Sequence, residues 1–294
     1  MVWLVGNKGM LGTEVATLLD RAGIAYTGTD LEVDITSLEA VERFVREQKP
    51  DWIVNCAAYT AVDQAEDEEE RAYAINAVGP DNLGRAAAAA GAGRDVSVIH
   101  VSTDYVFSGD ATRPIPEDTP PAPVGAYGRT KAAGEAKLAE AHPNHLIVRT
   151  AWLYGPAGKN FVATMLRLMR ERDELSVVAD QRGTPTYAVD LAGALVELIR
   201  EDARGRGVYH FTNAGETTWH EFAVAIRDEA LERGMLERSV AVHPITSAEY
   251  PTKAVRPAYS VLSTERIRRE LGITIPEWRD GLRRYLDRAE AEGV

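Results

Sequence analysis

Residues 2–30 read Val-Trp-Leu-Val-Gly-Asn-Lys-Gly-Met-Leu-Gly-Thr-Glu-Val-Ala-Thr-Leu-Leu-Asp-Arg-Ala-Gly-Ile-Ala-Tyr-Thr-Gly-Thr-Asp. A short apolar run at 2–6 meets glycines at 6, 9 and 12. An apolar-periodic segment follows, with Leu11, Val15, Leu18 and Leu19 in helical register. A second strand is predicted from Ile24 to Thr29, ending at Asp30. The order is strand, glycine-rich turn, helix, and strand with a terminal acid. Gly6, Gly9 and Gly12 permit a tight turn whose backbone N–H groups approach a pyrophosphate. Asp30 falls where an acid can reach a ribose hydroxyl. A glycine triplet alone also marks ordinary turns. The flanking strands and the acid make this one a dinucleotide-binding candidate. A carboxylate at position 30 favours a free 2′-hydroxyl over a 2′-phosphate, hence NADH. Lys8 is either a cation that offsets the repulsion, leaving NADPH open, or a solvated loop lysine.

The alternation continues past Asp30. A helix is predicted from Ser37 to Gln48, with Ser37 as its N-cap. Asp51 to Cys56 is a third strand running into Ala57-Ala58-Tyr59, where small residues let a cofactor lie against the backbone. Asp34 is either an acceptor for an adenine amino group or a turn aspartate. The acidic run at 66–70 is expected to be the solvated start of a helix, favourable to its dipole. An alanine-rich stretch at 83–92 ends in Gly91-Ala92-Gly93. A strand at 96–102, a proline-rich loop at 109–126, a helix from near Tyr127 and a strand from His145 to Thr150 follow. After Thr150 the alternation weakens. Trp152 to Pro156 reads as a loop, Asn160 to Arg172 as an amphipathic helix, Leu175 to Val178 as a strand, and Gln181 to Thr186 as a turn. A helix at 188–200, a strand at 207–211 and helices near 218–233, 263–271 and 276–290 complete the chain. The expected division is a nucleotide domain at 1–150 and mainly a substrate lobe at 151–294, with later segments free to return to the first.

The chemistry concentrates at 100–131. Tyr127 and Lys131 are four residues apart, on one face of a helix. A tyrosine has a pKa of about 10, and a nearby ammonium lowers it. Such a pair donates a proton to a carbonyl oxygen in reduction, or removes one in oxidation. Lys131 can also hold a nicotinamide ribose, and the Thr103 hydroxyl can bond the reacting oxygen. Tyr-x-x-x-Lys alone is usually a surface pair. It carries weight here because a dinucleotide motif precedes it and Ser102-Thr103 lies at a strand end.

Gly6-x-x-Gly9-x-x-Gly12 with Tyr127-x-x-x-Lys131 resembles the extended short-chain dehydrogenase/reductase superfamily. Ser-Thr-Asp-Tyr-Val-Phe at 102–107, Asn-Cys-Ala-Ala-Tyr-Thr at 55–60, Arg-Thr-Ala-Trp-Leu-Tyr-Gly at 149–155, Thr-Thr-Trp-His at 217–220 and Arg256-Pro257 resemble the dTDP-4-dehydrorhamnose reductase family in particular. The resemblance implies an α/β fold, a Rossmann-type doubly wound parallel sheet with a smaller carboxyl-terminal α/β lobe. It implies hydride transfer from NADPH or NADH to C4 of dTDP-4-dehydro-L-rhamnose. On that pattern Tyr127 is the proton donor, Lys131 its partner, and Thr103 supplies a hydroxyl where many relatives have serine. Thr103, Asp104 and Trp152 match sugar-contacting positions. Gly9-Met10-Leu11, Asp30, Asp34-Ile35 and Ala57-Ala58-Tyr59 match cofactor-contacting ones. Some relatives use Mg²⁺, often at a subunit contact, and no ligand cluster stands out for it in this sequence.

Related activities are weighed by the same residues. The 4,6-dehydratases have Thr-Asp-Glu, whereas the third position here is Tyr105, so the acid that eliminates water is missing. The 4-epimerases usually lack the Asp104 equivalent. A non-catalytic reading, like the regulatory subunit of methionine adenosyltransferase, is opposed by intact Tyr127, Lys131 and Thr103. Arg182 and Arg256 are candidates for pyrophosphate contacts, with surface arginine as the alternative. Trp219 is either a helix-start staple or part of the sugar pocket. His100 reads as a core residue, and His210, His220 and His243 lack metal-ligand spacing.

Composition restricts the partners. A formal net charge of −12 is a poor match to nucleic acid or an anionic membrane. No apolar run approaches a membrane span. The single cysteine, Cys56, excludes an internal disulfide and suits a reducing cytoplasm; a monomer or homodimer is expected, with the oligomeric state not fixed by the sequence. The start Met-Val-Trp-Leu-Val-Gly has no basic leader, which argues against secretion.

Overall fold

Among the described residues there are twelve strands: β1 (Val2–Val5), β2 (Tyr26–Thr29), β3 (Trp52–Asn55), β4 (Ser97–Thr103), β5 (His145–Thr150), β6 (Leu153–Tyr154), β7 (Glu174–Val178), β8 (Arg182–Gly183), β9 (Thr186–Tyr187), β10 (Gly207–His210), β11 (Thr217–Thr218) and β12 (Ala241–Ile245). The structure, a computed structural model, describes residues 1–90 and 95–291; Gly91-Ala92-Gly93 lies outside the described residues. Six strands form the central sheet in the order β10-β5-β4-β3-β1-β2, every neighbour parallel. Val2 is in register with Tyr26 on one side and Trp52 on the other.

Parallel neighbours need crossovers, and helices supply them. The helices of the described residues are α1 (Met10–Arg21), α2 (Leu38–Gln48), α3 (Glu69–Tyr73), α4 (Gly79–Ala88), α5 (Ala126–Ala141), α6 (Phe161–Glu171), α7 (Ala188–Arg200), α8 (Trp219–Glu232), α9 (Glu265–Leu271) and α10 (Trp278–Ala291), of which α8 to α10 follow β10, the last strand of the central sheet. Strand side chains alternate between faces. Val2, Leu4, Val54 and Val148 pack with Leu11, Val15, Leu191 and Leu195 of α1 and α7. Trp3, Val5, Ile53 and Ile147 pack with Val41, Leu83 and Leu138 of α2, α4 and α5. β10 and α7 therefore belong to the sheet layer although they follow Thr150 in the chain. The chain leaves β1 for β2 on one side and returns to β3 on the other. The resulting switch point lies between the carboxyl ends of β1 and β3, where ligands bind in such sheets.

A third core joins α6, α8 and α10 through Val162, Met165, Phe222, Ile226, Leu282 and Leu286. Here the structure adds elements that the sequence patterning misses. β12 pairs in parallel with β7 despite Pro244, which a two-stranded edge tolerates. Leu153–Tyr154, expected as loop, pairs with Thr186–Tyr187, and Arg182–Gly183, expected as turn, pairs with Thr217–Thr218. The last two pairings are only two residues long, too short for any periodicity to register.

The acidic run also departs from expectation. Gln64–Glu66 is a 3₁₀ turn, and α3 passes through a π turn at Ala74–Val78 into α4. The π turn presents Asn76 inwards. Its Nδ2 donates to Tyr59 O and to Thr130 Oγ1, each at 3.1 Å, and its Oδ1 accepts from Tyr59 N at 2.8 Å. One side chain thus ties the loop after β3 to α5. Burial adds a second tie, Arg149 on β5 to Glu135 on α5 at 2.6 Å, with the guanidinium over Phe107.

Candidate active site

The glycine turn comes first because its geometry admits little else. Gly6 has φ +75°, and a Cβ there would lie 2.8 Å from Ala57 N. A Cβ on Gly12 would lie 2.1 Å from Gly6 O, so α1 can approach β1 only with glycine at that position. Gly9 is the N-cap of α1 and supplies no capping side chain. The first-turn N–H groups, around Met10 and Leu11, are left for another acceptor. A dinucleotide pyrophosphate fits these features.

At the end of β2, Asp30 N donates to Glu32 Oε2 at 2.6 Å, and Glu32 forms an ion pair with Lys8. The Lys8 hydrogen bond, helped by that backbone N–H, holds the Glu32 carboxyl down at about 2. The turn cation is therefore engaged by a second carboxylate beside Asp30, a residue the sequence reading overlooked. Its signal was the Leu-Glu that follows Asp30. Asp34 Oδ1 accepts from Thr36 N at 2.9 Å and Thr36 Oγ1 at 2.7 Å, the turn alternative. Ile35 is buried, and its carbonyl accepts from Asn82 Nδ2 at 2.9 Å. Ala57, Ala58 and Tyr59 leave the end of β3 opposite Gly6. Ala57 N donates to Asn55 Oδ1 at 3.0 Å, and Tyr59 OH to Glu68 at 3.1 Å.

Thr103 ends β4, and Tyr127 is the second residue of α5. A Cβ on Gly128 would fall 2.1 Å from Tyr105 O, and one on Gly134 2.0 Å from Asn76 O. These glycines let α5 lie against both. Gly125, the N-cap, offers no side chain, and Glu66 Oε1 instead accepts from Ala126 N at 2.8 Å. Arg129 and Glu69 add a bidentate pair, the shorter contact 2.7 Å. The acidic run is thus not only solvated surface; two of its carboxylates hold the start of α5. Nothing in the local sequence pairs residues 60 apart.

The Thr103 hydroxyl acts on the Tyr127 phenol, tending to hold it down. Thr103 Oγ1 also donates to Asp104 Oδ1 at 2.9 Å. A hydroxyl has one proton, so it serves either the carboxylate or the phenolic oxygen. Asp104 is buried, with Oδ2 unpartnered, and burial raises its carboxyl to about 6 against hydrogen bonds from Thr103 and Ser260. Tyr105 packs edge-on to Tyr127, ring centroids 5.4 Å apart. Arg256 bonds Tyr105 OH at 3.0 Å and Asp63 at 2.6 Å, whereas Arg182 pairs with Glu216 at 2.9 Å.

Lys131 is buried, with Nζ 2.7 Å from Val101 O and 3.1 Å from His100 Nε2. Helical spacing places the two stems on one face, but β4 provides the acceptor that captures the lysine's end. Tyr127 is half-buried. Burial raises its phenol above the ordinary value, opposed by Thr103 and reinforced by the Asp104 charge.

Across from these groups Trp152 adopts φ +47° and stacks on Trp219, centroids 3.6 Å apart and planes 10° from parallel. Trp219 thereby joins α8 to the loop after β5, and it also meets Phe222 of its own helix, ring centroids 6.5 Å apart. Beside it a cavity of about 450 Å³ is lined by Phe161, Met165, Gln181, Trp219, Tyr250 and Arg256. Among the described residues no group of three His, Cys, Asp or Glu is placed to hold a metal ion, and no helix is long and apolar enough to cross a membrane.

Comparison with known proteins places this arrangement. The family described as RmlD substrate binding domain matches residues 1–291. A dTDP-4-dehydrorhamnose reductase from Aggregatibacter actinomycetemcomitans is 41% identical over 295 residues, covering 98% of each chain. A crystal structure of a dTDP-4-dehydrorhamnose reductase from Clostridium acetobutylicum superposes with TM-score 0.92 at 41% identity, covering 98% of this chain and 99% of that one. Another from Bacillus anthracis, in complex with NADP, gives TM-score 0.89 at 40% identity over 98% of each. The six-stranded parallel sheet and its flanking helices are accordingly a Rossmann-type fold, and the chain belongs to the RmlD substrate-binding-domain family, with dTDP-4-dehydrorhamnose reductases among its relatives.

Proposed function

We propose that this chain reduces the C4 keto group of dTDP-4-dehydro-L-rhamnose to dTDP-L-rhamnose with NADPH or NADH. The observation that carries the reading is Tyr127 packed edge-on to Tyr105, two residues past Thr103 at the carboxyl end of β4, in the same sheet as the Gly6–Gly12 cradle. The Gly6–Gly12 cradle would hold a nicotinamide dinucleotide, which when bound would supply the hydride. The Tyr127 phenol, raised by burial, stays protonated at neutral pH and is in the form needed to give a proton to the developing alkoxide. Thr103 can direct its one proton at the same oxygen. Asp104 Oδ2, buried and unpartnered, is an acceptor suited to a sugar hydroxyl. Trp152 on Trp219 offers an apolar wall.

Tyr105 supports reduction over dehydration. It stands where an eliminating enzyme needs an acid, and its hydroxyl is bonded to Arg256. The Bacillus anthracis relative binds NADP, which favours NADPH as one accepted cofactor. A cytoplasmic monomer or homodimer belongs to the same proposal; a single cysteine and a nucleotide-sugar substrate support the compartment. The test supplies enzymatically made dTDP-4-dehydro-L-rhamnose and follows nicotinamide absorbance with each cofactor in turn. Folded protein that consumes neither cofactor would overturn the reading.

A further inference from the structure

Tyr105 meets α5 in two places. Its ring is edge-on to Tyr127, centroids 5.4 Å apart. Its carbonyl lies against Gly128, where a Cβ would fall 2.1 Å from the oxygen. Its hydroxyl accepts from Arg256 Nη1 at 3.0 Å. Burial raises that phenol, so the accepting oxygen belongs to a neutral hydroxyl. Arg256 is itself held. Its Nη2 donates to Asp63 Oδ2 at 2.6 Å, and Asp63 Oδ1 accepts from Ala254 N at 3.0 Å. One carboxylate thus fixes both the guanidinium and the backbone two residues before it. The segment that carries Arg256, residues 250–258, is seated at further points. Lys253 pairs with Asp67, and Gly109 admits Pro257 because a Cβ there would lie 2.6 Å from Pro257 Cα. The same segment presents Tyr250, Thr252 and Arg256 to the cavity beside Trp219.

We propose that Asp63, Arg256 and Tyr105 act in series as positioning residues that set the Tyr127 ring, so that the seating of residues 250–258 is felt at the proton donor. Tyr127 is only the second residue of α5, and the N-cap, Gly125, has no side chain to steady that turn. The Tyr105 ring is its wall. Holding the hydroxyl, at the far end of that ring, fixes the direction in which the ring points. The guanidinium is planar, so a carboxylate on Nη2 also sets where Nη1 is aimed. The Asp63 and Arg256 side chains are 46% and 28% exposed, so their pair adds little stability. Its effect is to choose one place for Nη1. The consequence for turnover rests on the reading of Tyr127 as proton donor; the geometry does not.

The test labels the full chain with 3-fluorotyrosine and reads ¹⁹F resonances without substrate. The Tyr127 signal is assigned by its absence in Tyr127→Phe. Asp63→Asn keeps an oxygen for Ala254 N and loses the charge that holds Nη2. It should shift or broaden the Tyr127 signal. Tyr105→Phe keeps the ring and removes the hydroxyl, so adding Asp63→Asn to it should leave the Tyr127 signal where Tyr105→Phe put it. In the reductase assay Asp63→Asn should lower kcat about 10-fold, with cofactor Kd unchanged. Neither Asp63 nor Tyr105 is among the residues lining the cavity, so the loss should fall in kcat rather than KM. Adding Asp63→Asn to Tyr105→Phe should cost no further activity. A Tyr127 signal that Asp63→Asn leaves unmoved, or moves equally with and without the Tyr105 hydroxyl, overturns the proposal, as do additive losses in kcat. A protein without turnover whose Tyr127 signal responds as expected sinks the functional reading and leaves the bridge standing.

Discussion

Glu66 Oε1 accepts the backbone N–H of Ala126 at 2.8 Å, one residue before Tyr127. The N-cap Gly125 has no side chain to do this, so a carboxylate from 60 residues upstream does the capping. It also faces the positive end of the helix dipole. Glu66→Ala should cost about 1 kcal/mol of stability, the usual worth of a cap. It should also reduce kcat about 10-fold through tilt of the first turn, while cofactor Kd stays unchanged. Glu66→Gln, which keeps an acceptor oxygen, should recover most of kcat. Thermal melts, fluorescence titration with cofactor and steady-state rates separate these effects. Unchanged kcat in Glu66→Ala would mean the tyrosine is placed without this cap.

Tyr127→Phe should keep cofactor affinity and lose about 10²–10⁴-fold in kcat, the range for a general acid. Thr103→Ser should retain most activity because the hydroxyl is kept. Thr103→Val should lose less than Tyr127→Phe, since Thr103 orients the oxygen and the tyrosine still has a proton to give. If Thr103→Val proves the more damaging of the two, the proton reaches the substrate by another route.

Asp104 predicts a stability change with pH. Its folded carboxyl sits at about 6, above the ordinary aspartate value, because burial disfavours the charge. The folded state therefore binds this proton more tightly than the unfolded one. The penalty is absent below about pH 4 and grows as pH rises towards 6. It remains in full above that value. At 1.36 kcal/mol per unit it is on the order of 2–3 kcal/mol. Asp104→Asn should melt higher than the parent at pH 7.5, and the gap should close at pH 4.5. The same variant should raise KM for the sugar nucleotide if Oδ2 receives a hydroxyl. A melting difference independent of pH would place the charge elsewhere.

Local spacing makes part of this site legible. Gly6, Gly9 and Gly12 announce the turn, and the strand–turn–helix order around them sets the sheet. Thr103, Tyr127 and Lys131 stand out because each lies at a strand end or on one helical face. The partners are a different matter. Glu66 reaches Ala126, Asn76 reaches Tyr59 and Thr130, and Asp63 reaches Arg256 across 193 residues. Such pairs are chosen by tertiary packing and leave no period in the sequence. The π turn that aims Asn76 has no composition of its own. Lys131 shows the limit most directly. Its stem obeys helical spacing, yet its Nζ lies between His100 Nε2 and Val101 O, which only the register of β4 against α5 determines.

On the proposed function, cofactor choice is predicted to depend on Glu32. Asp30 and Glu32 place two carboxylates at the end of β2, and Glu32 holds Lys8. The pair is exposed and therefore weak and salt-sensitive. A 2′-phosphate brings up to two further negative charges, so it meets both acids while Lys8 is engaged. A free 2′-hydroxyl meets no such repulsion and finds Asp30 as an acceptor. Glu32→Gln removes one charge, keeps an acceptor for the Asp30 N–H, and frees Lys8. It should tighten NADPH binding by about fivefold, the scale of a surface ion pair, with NADH changed little. Raising the salt to about 0.5 M should erase most of the gain, since the Debye length then falls to roughly 4 Å. Lys8→Met in the Glu32→Gln background should reverse it. Direct titration of each cofactor, without substrate, measures all three. Equal tightening of NADH and NADPH by Glu32→Gln would show that the pair acts on the turn as a whole and not on the 2′ position.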